Sequence, residues 1–195
     1  MTPAPRGATG GAIRDAIGGA IVWFTGLPSS GKTTLARRAQ ARLAATGRPA
    51  VVLDSDELRD ALDAHSYGPG DRDRFYRAVA ALAALVARQG VVALVAATAP
   101  RRADRARARD ELGRGPAPGR FIEVWVDTPL AECEARDPKR LYAQARRGAA
   151  DQLPGVGAAY EPPVSPEVTA KGGFDDAALA AIEHRLDMSA EWPKI

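Results

Sequence analysis

Ile21-Val22-Trp23-Phe24-Thr25 is an apolar pentapeptide that runs directly into Gly26-Leu27-Pro28-Ser29-Ser30-Gly31-Lys32-Thr33. The second segment fits GxxxxGK(S/T), the signature of a phosphate-binding loop set between a strand and a helix. The context agrees. The apolar run predicts a buried strand, and Lys32 to Ala45 carries good helix formers before Gly47. Glycines let backbone N–H groups curl around phosphate oxygens, and the helix N-terminus adds partial positive charge. In such a loop Lys32 reaches the β- and γ-phosphates, and the Thr33 hydroxyl ligates Mg²⁺.

Outward from this motif, strand and helix signals alternate. Ala50 to Leu53, Val91 to Ala96 and Phe121 to Val126 are near-continuous apolar strands. Helices are predicted over Asp56–Leu62, Asp71–Gln89, Ala103–Leu112, Pro138–Arg147 and Asp175–Leu186, and Cys133 falls on a helix after the fourth strand. Apolar strands separated by helices imply an α/β fold, a parallel sheet with helices on both faces. Ligands of such sheets bind beyond the strand C-termini. Residues 137–173 hold five prolines and several glycines, which suits a helix and a long loop acting as a mobile lid.

Composition is that of a globular chain: 195 residues, 46% hydrophobic and 26% charged, with a net charge of +3. The length suits one domain over residues 21–195 behind a loose Gly-, Ala- and Pro-rich tail at 1–20. No uncharged apolar stretch is long enough to span a bilayer. Cys133 is the sole cysteine, which excludes an internal disulfide and suits the reducing cytoplasm. Basic charge is concentrated at Arg101, Arg102, Arg105, Arg107 and Arg109. Three readings stand: a solvated helix face, a phosphate or sulfate site, or nucleic-acid binding. The last is disfavoured because no aromatic platform or nucleic-acid module accompanies the run.

Asp54-Ser55-Asp56 follows the second strand. Carboxylates beside a phosphate crevice can hold Mg²⁺ or take a proton from an attacking hydroxyl. Asp56 is the candidate base or substrate orienter. An acidic residue before a helix is also an ordinary N-cap, and both roles can coexist. Trp23 and Trp125 read as packing residues and Trp192 as part of a C-terminal tail. His65 lies in a loop near the acidic motif, where it could touch a substrate.

Four stretches together resemble the adenylylsulfate kinase family: Trp23 to Leu27 entering the phosphate loop; Leu53-Asp54-Ser55-Asp56 through Arg59; Arg102 to Arg105; and Phe121 to Pro163. The last contains Val126-Asp127-Thr128-Pro129-Leu130, Cys133-Glu134-Ala135-Arg136-Asp137-Pro138-Lys139, Leu141-Tyr142 and Tyr160-Glu161-Pro162-Pro163. The resemblance covers roughly residues 20–187. It implies a P-loop kinase that uses ATP and Mg²⁺ and often dimerises. It implies ATP contacts at Gly26, Leu27, Pro28, Ser29, Ser30, Gly31, Lys32, Thr33, Thr34 and Arg136. Metal contacts are implied at Thr33 and Asp54, catalytic roles at Lys32, Asp54 and Asp56, and an acceptor contact at Arg59.

The acceptor half departs from the family pattern. The family Asn falls on Phe75, one Arg on Ala78, and the two phenylalanines taken as the adenine clamp on Ala97 and Leu153. Phe75, Arg77, Thr98, Arg101 and Leu153 are therefore expected, with Arg59, to form a rewritten acceptor pocket. Loss of two stacking faces, at about 1–3 kcal/mol per base, predicts weak use of adenylylsulfate. Phe75 and Tyr76 are expected to narrow the pocket toward a smaller anionic hydroxyl compound. A true adenylylsulfate kinase and an inactive nucleotide-binding protein are the alternatives.

Overall fold

The computed structural model describes residues 19–115, 119–147 and 153–187. Its strands are β1 (Ala20–Thr25), β2 (Ala50–Asp54), β3 (Val92–Ala96), β4 (Arg120–Val126) and β5 (Val168–Ala170). They form one parallel sheet in the order β2-β3-β1-β4-β5. The helices are α1 (Lys32–Ala45), α2 (Ser55–Ala61), α3 (Pro69–Ala87), α4 (Arg102–Gly113), α5 (Leu130–Arg136), α6 (Leu141–Arg146) and α7 (Asp176–Asp187).

Alternation within the strands builds two cores. Ala20, Val22 and Phe24 of β1 join Leu94 of β3 and Val124 of β4 on one face, under α1 and α7. Ile21 and Trp23 point the other way, to Ala93, Val95 and Phe121 and to α3 and α4. Every β1 side chain is buried, which explains why the strand reads as unbroken apolar sequence rather than as alternation. Trp23 is fully buried, as expected, and Trp125 is half-buried.

Two expectations change here. The predicted helix Pro138–Arg147 contracts to α6, and the long loop after it is not structureless. Val168–Ala170 pairs with Val124–Val126 and adds a strand to the sheet. Of the expected tail at 1–20, residues 1–18 lie outside the described set, and Ala20 already belongs to β1. Trp192 also lies outside it. Among the described residues no helix is long and apolar enough to cross a membrane.

The basic run is absorbed by the fold. Arg105 is buried and donates to Glu123 at 2.6 Å and to the Ala99 and Glu161 carbonyls at 2.7 Å. Arg101 pairs with Asp104, Arg107 with Asp73 and Arg109 with Glu167, while Arg102 donates to the Pro162 carbonyl. The solvated-face reading holds for Arg101, Arg102 and Arg109, which are exposed but paired, and not for Arg105, which is buried. Together these arginines tie α4 to α3, to β4 and to the chain before β5.

Candidate active site

The loop between β1 and α1 is shaped by backbone geometry. Gly31 has φ 102°, a conformation L side chains rarely adopt, and a Cβ there would lie 2.5 Å from the Gly173 nitrogen. Gly26 has φ 153°, and its Cβ would lie 2.6 Å from the Val126 carbonyl. Both ends of the loop are thus pinned against neighbouring backbone. Two side chains tighten it further: Thr128 donates to the Ser30 carbonyl at 2.8 Å and Tyr142 of α6 to the Pro28 carbonyl at 2.9 Å.

Lys32 is buried, and its Nζ donates to the Gly26 and Leu27 carbonyls at 3.1 and 2.7 Å. An ammonium carries three N–H donors, so one remains for a ligand. Burial lowers the Lys32 pKa to about 8, against the opposing charges of Asp56 and Asp54.

Asp54 rather than Asp56 is the N-cap of α2. Its Oδ1 accepts from the Asp56 N–H at 2.8 Å, and its Oδ2 accepts from the Thr33 hydroxyl at 2.6 Å. That hydroxyl and carboxylate are the pair expected at a Mg²⁺ site. Asp56 is the second residue of α2, its side chain 58% exposed, and pairs with Lys139 Nζ at 2.6 Å. Burial works against the Lys139 charge, but the hydrogen bond and charge of Asp56 outweigh it and raise its pKa above the ordinary value.

These groups open on a cavity of about 1250 Å³. Pro28, Ser29, Gly31, Lys32, Thr33 and Thr34 line it at the phosphate-loop end, with Arg136 nearby; Asp54, Asp56, Arg59, Thr98 and Leu153 line it elsewhere. Gly26 and Leu27 contribute through the carbonyls that hold Lys32, and Ser30 is buried behind the loop. Arg136 is exposed and pairs with Glu132 at 2.8 Å.

Several expected acceptor residues are elsewhere. Phe75 is buried beneath Arg59, whose guanidinium lies 3.8 Å from its ring centroid, and it does not reach the cavity. Arg77 is held by Asp73, and Arg101 by Asp104 and Asp73, and neither lines the cavity. Ala97 is fully buried in the core beside α3 and α4, so of the two positions read as the adenine clamp only Leu153 borders the cavity. His65 is exposed, with its ring nitrogens nearest Asp63 and Asp60.

Tyr76, expected with Phe75 to narrow the pocket, does line it, and the wall also uses residues to which no role was given: Tyr67, Arg72, Lys139, Lys171 and Phe174. Tyr67 lies over Arg59 at 4.4 Å from guanidinium to ring centroid, so Arg59 is sandwiched between Tyr67 and Phe75. Arg59 is also anchored by donation to the Ala64 carbonyl at 2.7 Å. Tyr76 directs its hydroxyl to accept the Ala99 N–H at 3.1 Å, and burial raises its pKa. Lys139 was readable in part, since it follows Asp137-Pro138 in the quoted motif; Phe174 follows Gly172-Gly173 and had no such cue.

A phosphate loop after β1, an acidic helix start after β2 and a large cavity between them define a P-loop small-molecule kinase. Comparison with known proteins is specific about the branch. Residues 18–171 match the family described as adenylylsulphate kinase. An adenylyl-sulfate kinase of Citrobacter koseri is 44% identical over 155 residues, covering 79% of this chain and 75% of that protein. One from Yersinia pestis is 42% identical over 171 residues, covering 87% and 78%. Among solved structures, the Mycobacterium tuberculosis APS kinase CysC in complex with AMPPNP and APS superposes with a TM-score of 0.78 at 39% identity, covering 85% of this chain and 96% of that one. The chain belongs to the adenylylsulphate kinase family and is an ATP-dependent phosphotransferase with a hydroxyl group as acceptor.

Proposed function

We propose that the acceptor is adenylylsulfate itself, phosphorylated on its ribose 3′-hydroxyl. The observation that carries this reading is the cavity. About 1250 Å³ exceeds the roughly 300–1,000 Å³ of a site built for one drug-sized ligand. It leaves room for a second nucleotide opposite the ATP. The expectation of a smaller acceptor rested on Phe75 and Tyr76 narrowing the pocket; Tyr76 lines it and Phe75 lies outside it, and the volume remains large. Aromatic surface is also available. Tyr67, half exposed on the wall, offers a face on which a base can stack, and Arg59 and Arg72 supply positive charge for an anionic acceptor.

In this reading Lys32 holds the β/γ-phosphates, and the loop amides hold the remaining oxygens. Thr33 and Asp54 present hydroxyl and carboxylate oxygens side by side, a hard donor pair that fits Mg²⁺, which also takes ligands from phosphate and water. When bound, the ion neutralises charge on the phosphates. The acceptor oxygen attacks the γ-phosphorus as the bond to the β–γ bridging oxygen breaks, releasing ADP. The hydroxyl proton passes to the Asp56 carboxylate. Lys139 engages Asp56 Oδ2, which leaves Oδ1 for that hydroxyl.

A redirected acceptor is the second reading, favoured by one observation: Leu153 gives the cavity an aliphatic surface where the resemblance implies an aromatic one. An ADP-release assay separates the two. Adenylylsulfate is expected to give kcat/KM of about 10⁴ M⁻¹s⁻¹ or more. A value far below that, with a smaller hydroxyl-bearing anion in the ordinary range, would establish the redirected kinase.

A further inference from the structure

We propose that Phe174 is the stacking platform for the purine base of ATP, and that it makes this site prefer a nucleotide to a bare triphosphate. The inference rests on the reading that ATP occupies the phosphate loop. Its starting point is an anomaly of burial. Phe174 is 80% exposed and is one of the residues that line the cavity. A large apolar side chain left uncovered beside a ligand cavity is a candidate contact for the ligand.

Position supports the assignment. The Gly172–Gly173 backbone packs directly on the phosphate loop. A Cβ on Gly31 would lie 2.5 Å from the Gly173 nitrogen, and one on Gly173 would lie 2.8 Å from Thr34 Cβ. Phe174 therefore follows directly on the backbone that packs against the start of α1, where the triphosphate binds. A nucleotide anchored there by its phosphates must lead its sugar and base away past the loop, and Phe174 stands on that path.

The backbone that carries the ring is also held. Asp175 Oδ2 accepts from the Lys171 N–H and its Oδ1 from the Ala178 N–H, both at 2.9 Å, which fixes the turn between β5 and α7. Arg38 lies 5.5 Å from the Phe174 ring centroid and is itself tied to Asp176 at 2.8 Å. A fixed aromatic ring stacks on a base at low entropic cost, and the contact tolerates any base because every base has a π-face.

The test compares two probes on the intact protein with Mg²⁺: AMPPNP, which carries the base, and inorganic tripolyphosphate, which does not. Phe174→Ala is expected to bind AMPPNP about 5- to 150-fold more weakly, the equivalent of one lost base stack. Tripolyphosphate affinity should stay within about twofold, as for a surface substitution. Phe174→Trp should restore AMPPNP binding and show fluorescence quenching by AMPPNP but not by tripolyphosphate. Phe174→Leu, which keeps apolar bulk but no flat face, should behave like the alanine variant. Unchanged AMPPNP affinity in Phe174→Ala, or equal weakening of both probes, overturns the proposal. Wild-type protein that binds neither probe refutes the phosphate-loop reading and the proposal with it.

Discussion

Asp56→Asn isolates chemistry from folding because of where the two neighbouring carboxylates sit. The Asp56 side chain is 58% exposed and its partner Lys139 57%. An ion pair that exposed contributes about 0–1 kcal/mol to stability. The substitution should therefore shift Tm by no more than about 4 °C. The cap of α2 survives, because Asp54 supplies it. A neutral amide cannot accept the hydroxyl proton, so kcat should fall about 10²–10⁴-fold, equivalent to about 2.7–5.5 kcal/mol of barrier. KM for ATP should change little.

Asp54→Ala is the contrasting perturbation. It deletes the cap, about 0.5–2 kcal/mol, and the charged acceptor of the Thr33 hydroxyl, about 1.5–3 kcal/mol. Together these predict a loss of about 2–5 kcal/mol and a visibly lower Tm. Steady-state ADP release at saturating ATP, run beside thermal unfolding, reads both quantities on the same samples. Asp56→Asn protein with kcat within tenfold of wild type would refute the base assignment, and Asp54→Ala protein with unchanged Tm would refute the capping account.

Lys32→Ala should abolish phosphoryl transfer, because backbone amides alone cannot replace the buried cation; near-normal turnover would remove Lys32 from the mechanism. Its lowered pKa gives a signed pH dependence. The phosphates favour the charged form, so ATP affinity should be full below about pH 8 and weaken by up to tenfold per unit above it, until the higher pKa of the complex is reached. A dissociation constant flat from pH 7 to 10 would contradict this. Amides of Leu141–Arg146 should gain hydrogen-exchange protection with an ATP analogue while Val168–Ala170, paired with β4, stay protected throughout; equal protection of α6 in both states would refute a lid. Arg105→Met should cost about 3–5 kcal/mol by stranding Glu123, whereas Arg109→Ala, an exposed pair, should cost at most about 1 kcal/mol, both read by denaturant unfolding.

What the sequence discloses about this protein follows the range of the interactions involved. The phosphate loop was legible because its strand, glycines, lysine and helix lie within one short continuous segment. β5 was not. Val168-Thr169-Ala170 is too short to display a period, and it becomes a strand only because β4 presents a free edge. Adjacent residues on α3 show a second limit. Phe75 and Tyr76 differ by about 100° around the helix axis. Which of them meets the cavity depends on how α3 seats against β1 and β3, and Tyr76 meets it while Phe75 supports Arg59 from behind. The arginine run is the clearest case. Read locally, Arg101 to Arg109 was a basic surface open to solvent, phosphate or nucleic acid. Its partners are Asp73 on the preceding helix and Glu123, Glu161 and Glu167 much later in the chain, together with the Ala99 and Pro162 carbonyls. A cation's role is set by the acceptors that folding brings to it, and for Arg105 those acceptors engage all three guanidinium nitrogens in a buried position, away from any ligand.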